Sequence, residues 1–126
     1  MKGIYHMEIN NVYLGDCLEL MKDITPKSID LILCDPPFGT TQNKWDKVID
    51  FKKMWDQYNI IIKDNGCIAL FANSPFDKML ACSNLMMYKY DWVIEYTTPR
   101  GFLNAKKRPL NCCDYVLIFY KQPPII

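Results

Sequence analysis

The stretch Ile29-Asp30-Leu31-Ile32-Leu33-Cys34-Asp35-Pro36-Pro37-Phe38-Gly39 constrains this chain more than any other. An apolar run that ends at once in an acid, two prolines, an aromatic ring and a glycine reads as a buried parallel strand stopped by a stiff loop. Neither Pro36 nor Pro37 can donate to a ladder, and each pushes its predecessor toward an extended conformation. At the carboxyl end of a parallel strand such a loop lies where open α/β sheets place ligands. Asp35 can accept from an exocyclic amino group, and Phe38 can lie against the face of a flat ring. A strand terminus with an Asx-Pro turn is the structural alternative.

Asp35-Pro36-Pro37-Phe38 resembles the catalytic motif of the DNA methyltransferases that modify adenine N6 or cytosine N4 with S-adenosylmethionine. Tyr13-Leu14-Gly15-Asp16-Cys17-Leu18-Glu19-Leu20-Met21 before it, and Asp30-Leu31-Ile32-Leu33 leading into it, resemble the front of the permuted subgroup, in which the catalytic half precedes the cofactor loop. The similarity runs from about Ile9 to Tyr120 and covers the front half of a typical member. It implies that Asp35, Pro36 and Phe38 are catalytic and that Asp35 and Asp16 approach S-adenosylmethionine. Asp rather than Ser at the first motif position implies adenine N6 over cytosine N4. The glycine-rich cofactor loop of that family has no counterpart, since glycines occur only at 3, 15, 39, 66 and 101. Cys113-Asp114 stands where family members tend to carry His-Glu.

Charge distribution bears on the partner. Residues 1–95 hold ten basic and thirteen acidic side chains, whereas residues 96–126 hold five basic and one acidic. Arg100, Lys106, Lys107 and Arg108 lie in one acid-free tract, which is the candidate contact to the phosphates of double-stranded DNA; a solvated loop with ordinary surface charges is the alternative. The six cysteines form no CxxC pair and His6 is the single histidine, so no metal site is expected. Cys34 sits in an apolar run and reads as a packing residue. No apolar run reaches the roughly 18 residues of a membrane span, and a cytoplasmic protein with reduced thiols is expected.

Taken in order, residues 1–8 read as a leader, 9–122 as a truncated catalytic-motif domain and 123–126 as a tail. Val12-Tyr13-Leu14 is a strand candidate. Asp16 suits a helix N-cap, with Glu19 three residues on, a role that competes with a cofactor contact. Residues 39–46 read as a loop over the site. Phe51, Met54, Trp55, Tyr58 and Ile62 mark a helix, which Asp64-Asn65-Gly66 should end. Cys67–Ala72 reads as a strand, and Ser74 as the cap of a helix beginning at Pro75. Tyr90–Tyr96 and Tyr115–Tyr120 read as an antiparallel pair at one sheet edge.

The expected fold class is therefore α/β, a partial Rossmann-like methyltransferase sandwich with a mostly parallel sheet and an antiparallel strand pair at the carboxyl end. The resemblance implies that Val12–Leu14 is the far edge of a larger sheet whose missing strands leave apolar edges uncovered. It also implies amino-methyl transfer to a DNA base, as in restriction-modification systems. The alternatives are an inactive remnant with weak DNA association, one chain of a split enzyme completed by a separate cofactor half or by self-association through its sheet edge, and transfer to a protein amide.

Overall fold

The computed structural model describes residues 7–125; most of the leader expected at 1–8 and the last residue of the tail expected at 123–126 lie outside them. The elements in chain order are a short helix α1 (Cys17–Leu20), strand β1 (Ile29–Cys34), helix α2 (Phe51–Ile61), strand β2 (Ile62–Ala72), helix α3 (Phe76–Ser83), strand β3 (Tyr88–Arg100) and strand β4 (Asn111–Phe119).

The sheet has the order β1-β2-β4-β3. Only β1 and β2 pair in parallel; β2–β4 and β4–β3 are antiparallel. The sheet is thus mixed and mostly antiparallel, which corrects the expectation of a mostly parallel one. The reason is spatial order. β1, β2 and β3 do run in one direction, as the crossovers through α2 and α3 require, but β4 turns back and inserts between β2 and β3. Both of its ladders are antiparallel, and the second parallel neighbour never forms. Apolar runs in a sequence specify strands, not which strand lies beside which.

One face of the sheet is covered. Met54, Trp55, Tyr58 and Ile61 on α2, with Phe76 and Leu80 on α3, pack against Ile68, Leu70, Leu117 and Phe119. Trp55 lies 4.8 Å from Phe119 between ring centroids, and its indole N–H donates to Ser83 Oγ at 2.8 Å. That bond satisfies the one polar atom of a buried ring. The other face carries a smaller cluster, Ala69, Val116 and Ile118, to which no helix contributes. Among the described residues the fold thus has two layers, with the helices on one face of the sheet.

Three local expectations change. Residues 11–14 are not a strand; Val12 is 94% exposed and has no ladder partner to hold it extended. The helix ends at Ile61, and Asp64–Gly66 belongs to β2. Gly66 serves a close approach instead of a helix stop, because a Cβ there would meet Ile62 Cδ1 at 2.7 Å and the Asp30 carbonyl at 3.1 Å. At α3 the cap position is Pro75 without a side-chain bond, and Asn73 rather than Ser74 does the capping work: its Oδ1 accepts from Ser74 N and its carbonyl from Asp77 N.

β1 is an edge strand and is less buried than its apolar run suggests. Leu31 and Leu33 are 55% and 62% exposed. Among the described residues no helix is long and apolar enough to cross a membrane.

Candidate active site

β1 ends at Cys34, and the next four residues turn away from the sheet without regular structure. Asp35, Pro36 and Phe38 are brought together there. All three line a cleft of about 400 Å³ whose other side is Thr40, Thr41, Trp45 and Asp46. Asp35 is exposed, Pro36 is buried and Phe38 is half-buried. One face of the Phe38 ring lies on Phe76, with centroids 5.0 Å apart and planes 23° off parallel. The rest of the ring borders the cleft, so a flat group entering it meets an aromatic surface already braced from behind.

The loop beyond Phe38 is pinned, which the sequence reading did not foresee. Gly39 has φ +69°, and a Cβ there would lie 2.7 Å from Val48 Cγ2, so only glycine fits without strain. The buried carboxylate of Asp46 accepts from Gly39 N at 2.8 Å and from Thr41 N at 2.7 Å. The available signal was an acid a few residues past a Gly-Thr-Thr turn, a spacing that lets one side chain close the loop on its own backbone.

These bonds hold the Asp46 carboxyl below its ordinary value of 3.8, with Thr41's side chain the leading cause and the Gly39 amide next. A depressed folded pKa contributes stability that is present above the unfolded value and lost as pH falls through the folded one. The loop should therefore stay closed at neutral and mildly acidic pH and open only below 3.8. Followed by NMR, the Gly39 and Thr41 amide resonances should titrate with a midpoint under that value. A midpoint at or above it would show that Asp46 does not hold the loop.

Asp16 stands at the start of α1. Its carboxylate accepts from Leu18 N at 2.8 Å, capping α1, and it lines a separate cleft with Leu18, Glu19, Lys22, Lys53, Asp56 and Gln57. Asp35, by contrast, lines the two clefts at the rim.

The basic tract divides. Arg100 closes β3 and lines a second cleft of about 440 Å³ together with Asp35 and Phe38. Arg108 borders a third beside Phe38, Thr40 and Asn73. Lys106 and Lys107 stand on the exposed turn between β3 and β4 and line none of these clefts. Asn73, Tyr96 and Asp114, which sequence reasoning did not select as site residues, complete the second cleft. Their signal was Asp114, which with Cys113 stands where members of the resembled family tend to carry His-Glu.

Cys34 is half-buried, and burial first of all pushes its thiol up; its neighbours include Tyr58, also pushed up chiefly by burial. A thiol kept protonated is a poor nucleophile, which suits a packing role. Among the described residues no three His, Cys, Asp or Glu side chains gather as a metal site.

Comparison with known proteins sets this rim in context. No protein-family model matches the chain. Its sequence is homologous to several type II methyltransferases. M.BamHI of Bacillus amyloliquefaciens is 27% identical over 95% of this chain and 30% of its own length, and M1.MboII of Moraxella bovis is 22% identical over 92% of this chain and 47% of its own. M.HinfI of Haemophilus influenzae is 36% identical over 47% of this chain and 18% of its own. The chain thus spans less than half the length of these curated relatives. Its fold is shared with the solved M1.HpyAVI–SAM complex, with a TM-score of 0.62 at 20% identity over 86% of this chain and 54% of the other. It is shared also with the cytosine-N4-specific PvuII DNA methyltransferase, with a TM-score of 0.68 at 17% identity over 89% and 49%.

Proposed function

We propose that this chain is the target-base half of a permuted-subgroup, S-adenosylmethionine-dependent DNA methyltransferase, acting on an exocyclic amino group, with adenine N6 favoured. The observation that carries this reading is the convergence of Asp35, Pro36 and Phe38 on one cleft at the end of β1, with Phe38 braced by Phe76. The homology to type II methyltransferases supports the same class.

The chemistry follows from the amine. Its lone pair is delocalised into the ring, so the nitrogen is a poor nucleophile. Acceptors for its two hydrogens favour a more tetrahedral nitrogen and are worth most as positive charge develops on it. The Asp35 carboxylate and the Pro36 carbonyl are the two acceptors. Phe38 stacks on the base once it has left the duplex, since the reacting atom is inaccessible inside it. S-adenosylmethionine, when bound, supplies an electrophilic methyl group. No side chain of this chain forms a covalent bond in the exchange.

Of the cofactor contacts expected at Asp16 and Asp35, Asp16 is engaged as a helix cap and Asp35 is exposed in the rim clefts. In this reading the cofactor wall comes from a separate chain docked on the exposed Leu31–Leu33 edge of β1, or from self-association there. That engagement of Asp16 favours the second reading, an inert remnant that associates weakly with DNA through its basic rim. In either reading residues 9–122 act as one domain, in the cytoplasm.

Labelled-methyl incorporation into double-stranded DNA separates the two. The chain alone is expected to transfer nothing; mixed with a chain carrying the glycine-rich loop it transfers methyl groups, recovered on digestion as N6-methyladenine. The mixture's thermal midpoint also rises with S-adenosylmethionine, as mass action requires of a ligand that binds the folded state. DNA retention without transfer or thermal shift in the mixture leaves the inert reading standing. Recovery of N4-methylcytosine would overturn the adenine assignment alone.

A further inference from the structure

The carboxyl ends of β1, β2 and β3 and the amino end of β4 meet at one rim of the sheet. The second cleft opens there, and the wall facing Asp35 and Phe38 is a polar cluster centred on Asp114. Asn73 Nδ2 donates to Asp114 Oδ1 at 2.6 Å, and the Tyr96 hydroxyl donates to Oδ2. Arg100 lies over the Tyr96 ring, 3.7 Å from guanidinium carbon to centroid, with Nη1 3.9 Å from the same Oδ2.

Each contact has a consequence. Both Asp114 oxygens are already occupied by neutral donors, and the side chain is only 23% exposed, so its charge is fixed in place. At 3.9 Å the ion pair attracts Arg100 without making a hydrogen bond. The contact with the ring holds the guanidinium in place, and its 62% exposure leaves its donor fork open to a ligand. Arg100 is also anchored by its backbone, paired with Asn111 across the ladder, unlike the lysines on the following turn. The hydrogen bond to Asp114, and burial after it, raises the Tyr96 phenol above its ordinary value of 10.0, so it stays a donor at working pH.

Resting on the base-binding reading above, we infer that Asp114, with Asn73 and Tyr96, is a positioning residue that holds the Arg100 guanidinium as a fixed receptor for an oxyanion of the ligand whose ring lies on Phe38. A cleft of about 440 Å³ is of the size that takes a ligand of nucleotide dimensions. Charge orients the ligand within it. The Asp35 carboxylate repels an oxyanion and attracts an amine, whereas Arg100 does the reverse, so the ligand lies with its amine at β1 and its oxyanion at the β3 end. Two sources carry that chemistry: the phosphate of the extruded nucleotide, and the carboxylate of an amino-acid-bearing cofactor.

Paired ligands test this by calorimetry on the full chain, together with its cofactor-half chain where one is required. One pair is deoxyadenosine 5′-monophosphate against deoxyadenosine; the other is S-adenosylhomocysteine against 5′-methylthioadenosine, which lacks the carboxylate. Wild type should prefer the oxyanion-bearing member of one pair by about tenfold or more, as a charge-assisted contact gives, and the pair that shows the preference identifies the source. Arg100→Ala should bring that ratio close to one. Asp114→Asn should lower it several-fold with little effect on the uncharged member, a selectivity that a merely structural role would not produce. Lys52→Ala, a charge removed from the outer side of α2, should leave it unchanged.

The inference is overturned if wild type shows no preference in either pair or binds none of the four ligands, if Arg100→Ala keeps the ratio, or if Asp114→Asn weakens both members equally. An intact ratio in a preparation that transfers no methyl group counts against the methyltransferase reading and not against this cluster. A lost ratio with transfer retained counts against the cluster alone.

Discussion

On the proposed function, Asp35→Ala should lower methyl transfer in the assembled reaction by about a hundred- to a thousandfold, the range seen when one hydrogen-bonding group aimed at developing charge is removed. The expectation rests on where the carboxylate stands. It leaves the last strand residue of β1 into both principal clefts and is exposed, so its loss removes an acceptor without opening a hole in the core. The thermal midpoint should accordingly move little. The acceptor acts on a nitrogen whose charge grows only along the reaction, so the loss should fall on kcat, with KM for DNA changed no more than a few-fold. Asp35→Asn sharpens the test, because an amide of the same shape keeps one acceptor and replaces the other with a donor facing the amino hydrogens. It should be nearly as slow as the alanine variant. Initial rates at saturating DNA, with retention on a DNA column as the control, measure both. A variant that keeps its rate within about threefold would remove Asp35 from the chemistry, and with it the central claim about this cleft.

What could be read from the sequence was what short-range physics decides. The run Ile29–Cys34 stops where two prolines forbid a ladder, so β1 and the loop bearing Asp35 and Phe38 were visible from composition alone. Asp16 caps α1 because a carboxylate two residues ahead of a free N–H needs no distant partner. The stripe Met54, Trp55 and Tyr58 was legible as the buried side of α2. The features that escaped depend on residues far apart in the chain. Nothing in Asn111–Phe119 indicates that it inserts between β2 and β3, and that single placement turned the sheet from parallel to mostly antiparallel. The Asn73–Asp114 bond joins residues 41 apart, and Arg100 left the company of Lys106 and Lys107 only because the β3–β4 ladder runs as far as Arg100 and Asn111. Gly66 looked like a helix stop, but the crowding of Ile62 and Asp30 that requires it is tertiary. The placement of the motif was therefore local and legible, and the wall opposite it was not.

Phe76→Ala is expected to destabilise the fold by about 3–5 kcal/mol. Phe76 is 1% exposed and stands between Phe38, 5.0 Å away, and Phe51, 5.9 Å away. Truncation leaves a void bounded on one side by α2 and on the other by the loop that carries Phe38, and stiff rings collapse poorly into such a space. Domains of this size have only about 5–15 kcal/mol in hand, so urea unfolding should show a midpoint moved strongly downward. Phe76→Leu, which keeps much of the volume, should cost distinctly less. The functional content lies in the coupling to Phe38. That ring is half-buried, so Phe38→Ala alone should cost less than the change at Phe76. If the stack is what braces it, the double variant should lose less than the two single losses together, by about 0.5–1.5 kcal/mol. A brace also has a signature in binding. In Phe76→Leu, under conditions where the protein remains folded, a base analogue whose fluorescence reports stacking should be held less rigidly against Phe38. Additive losses together with undisturbed stacking would mean that Phe38 keeps its place through the prolines before it, and that Phe76 is a core residue with no part in presenting the ring.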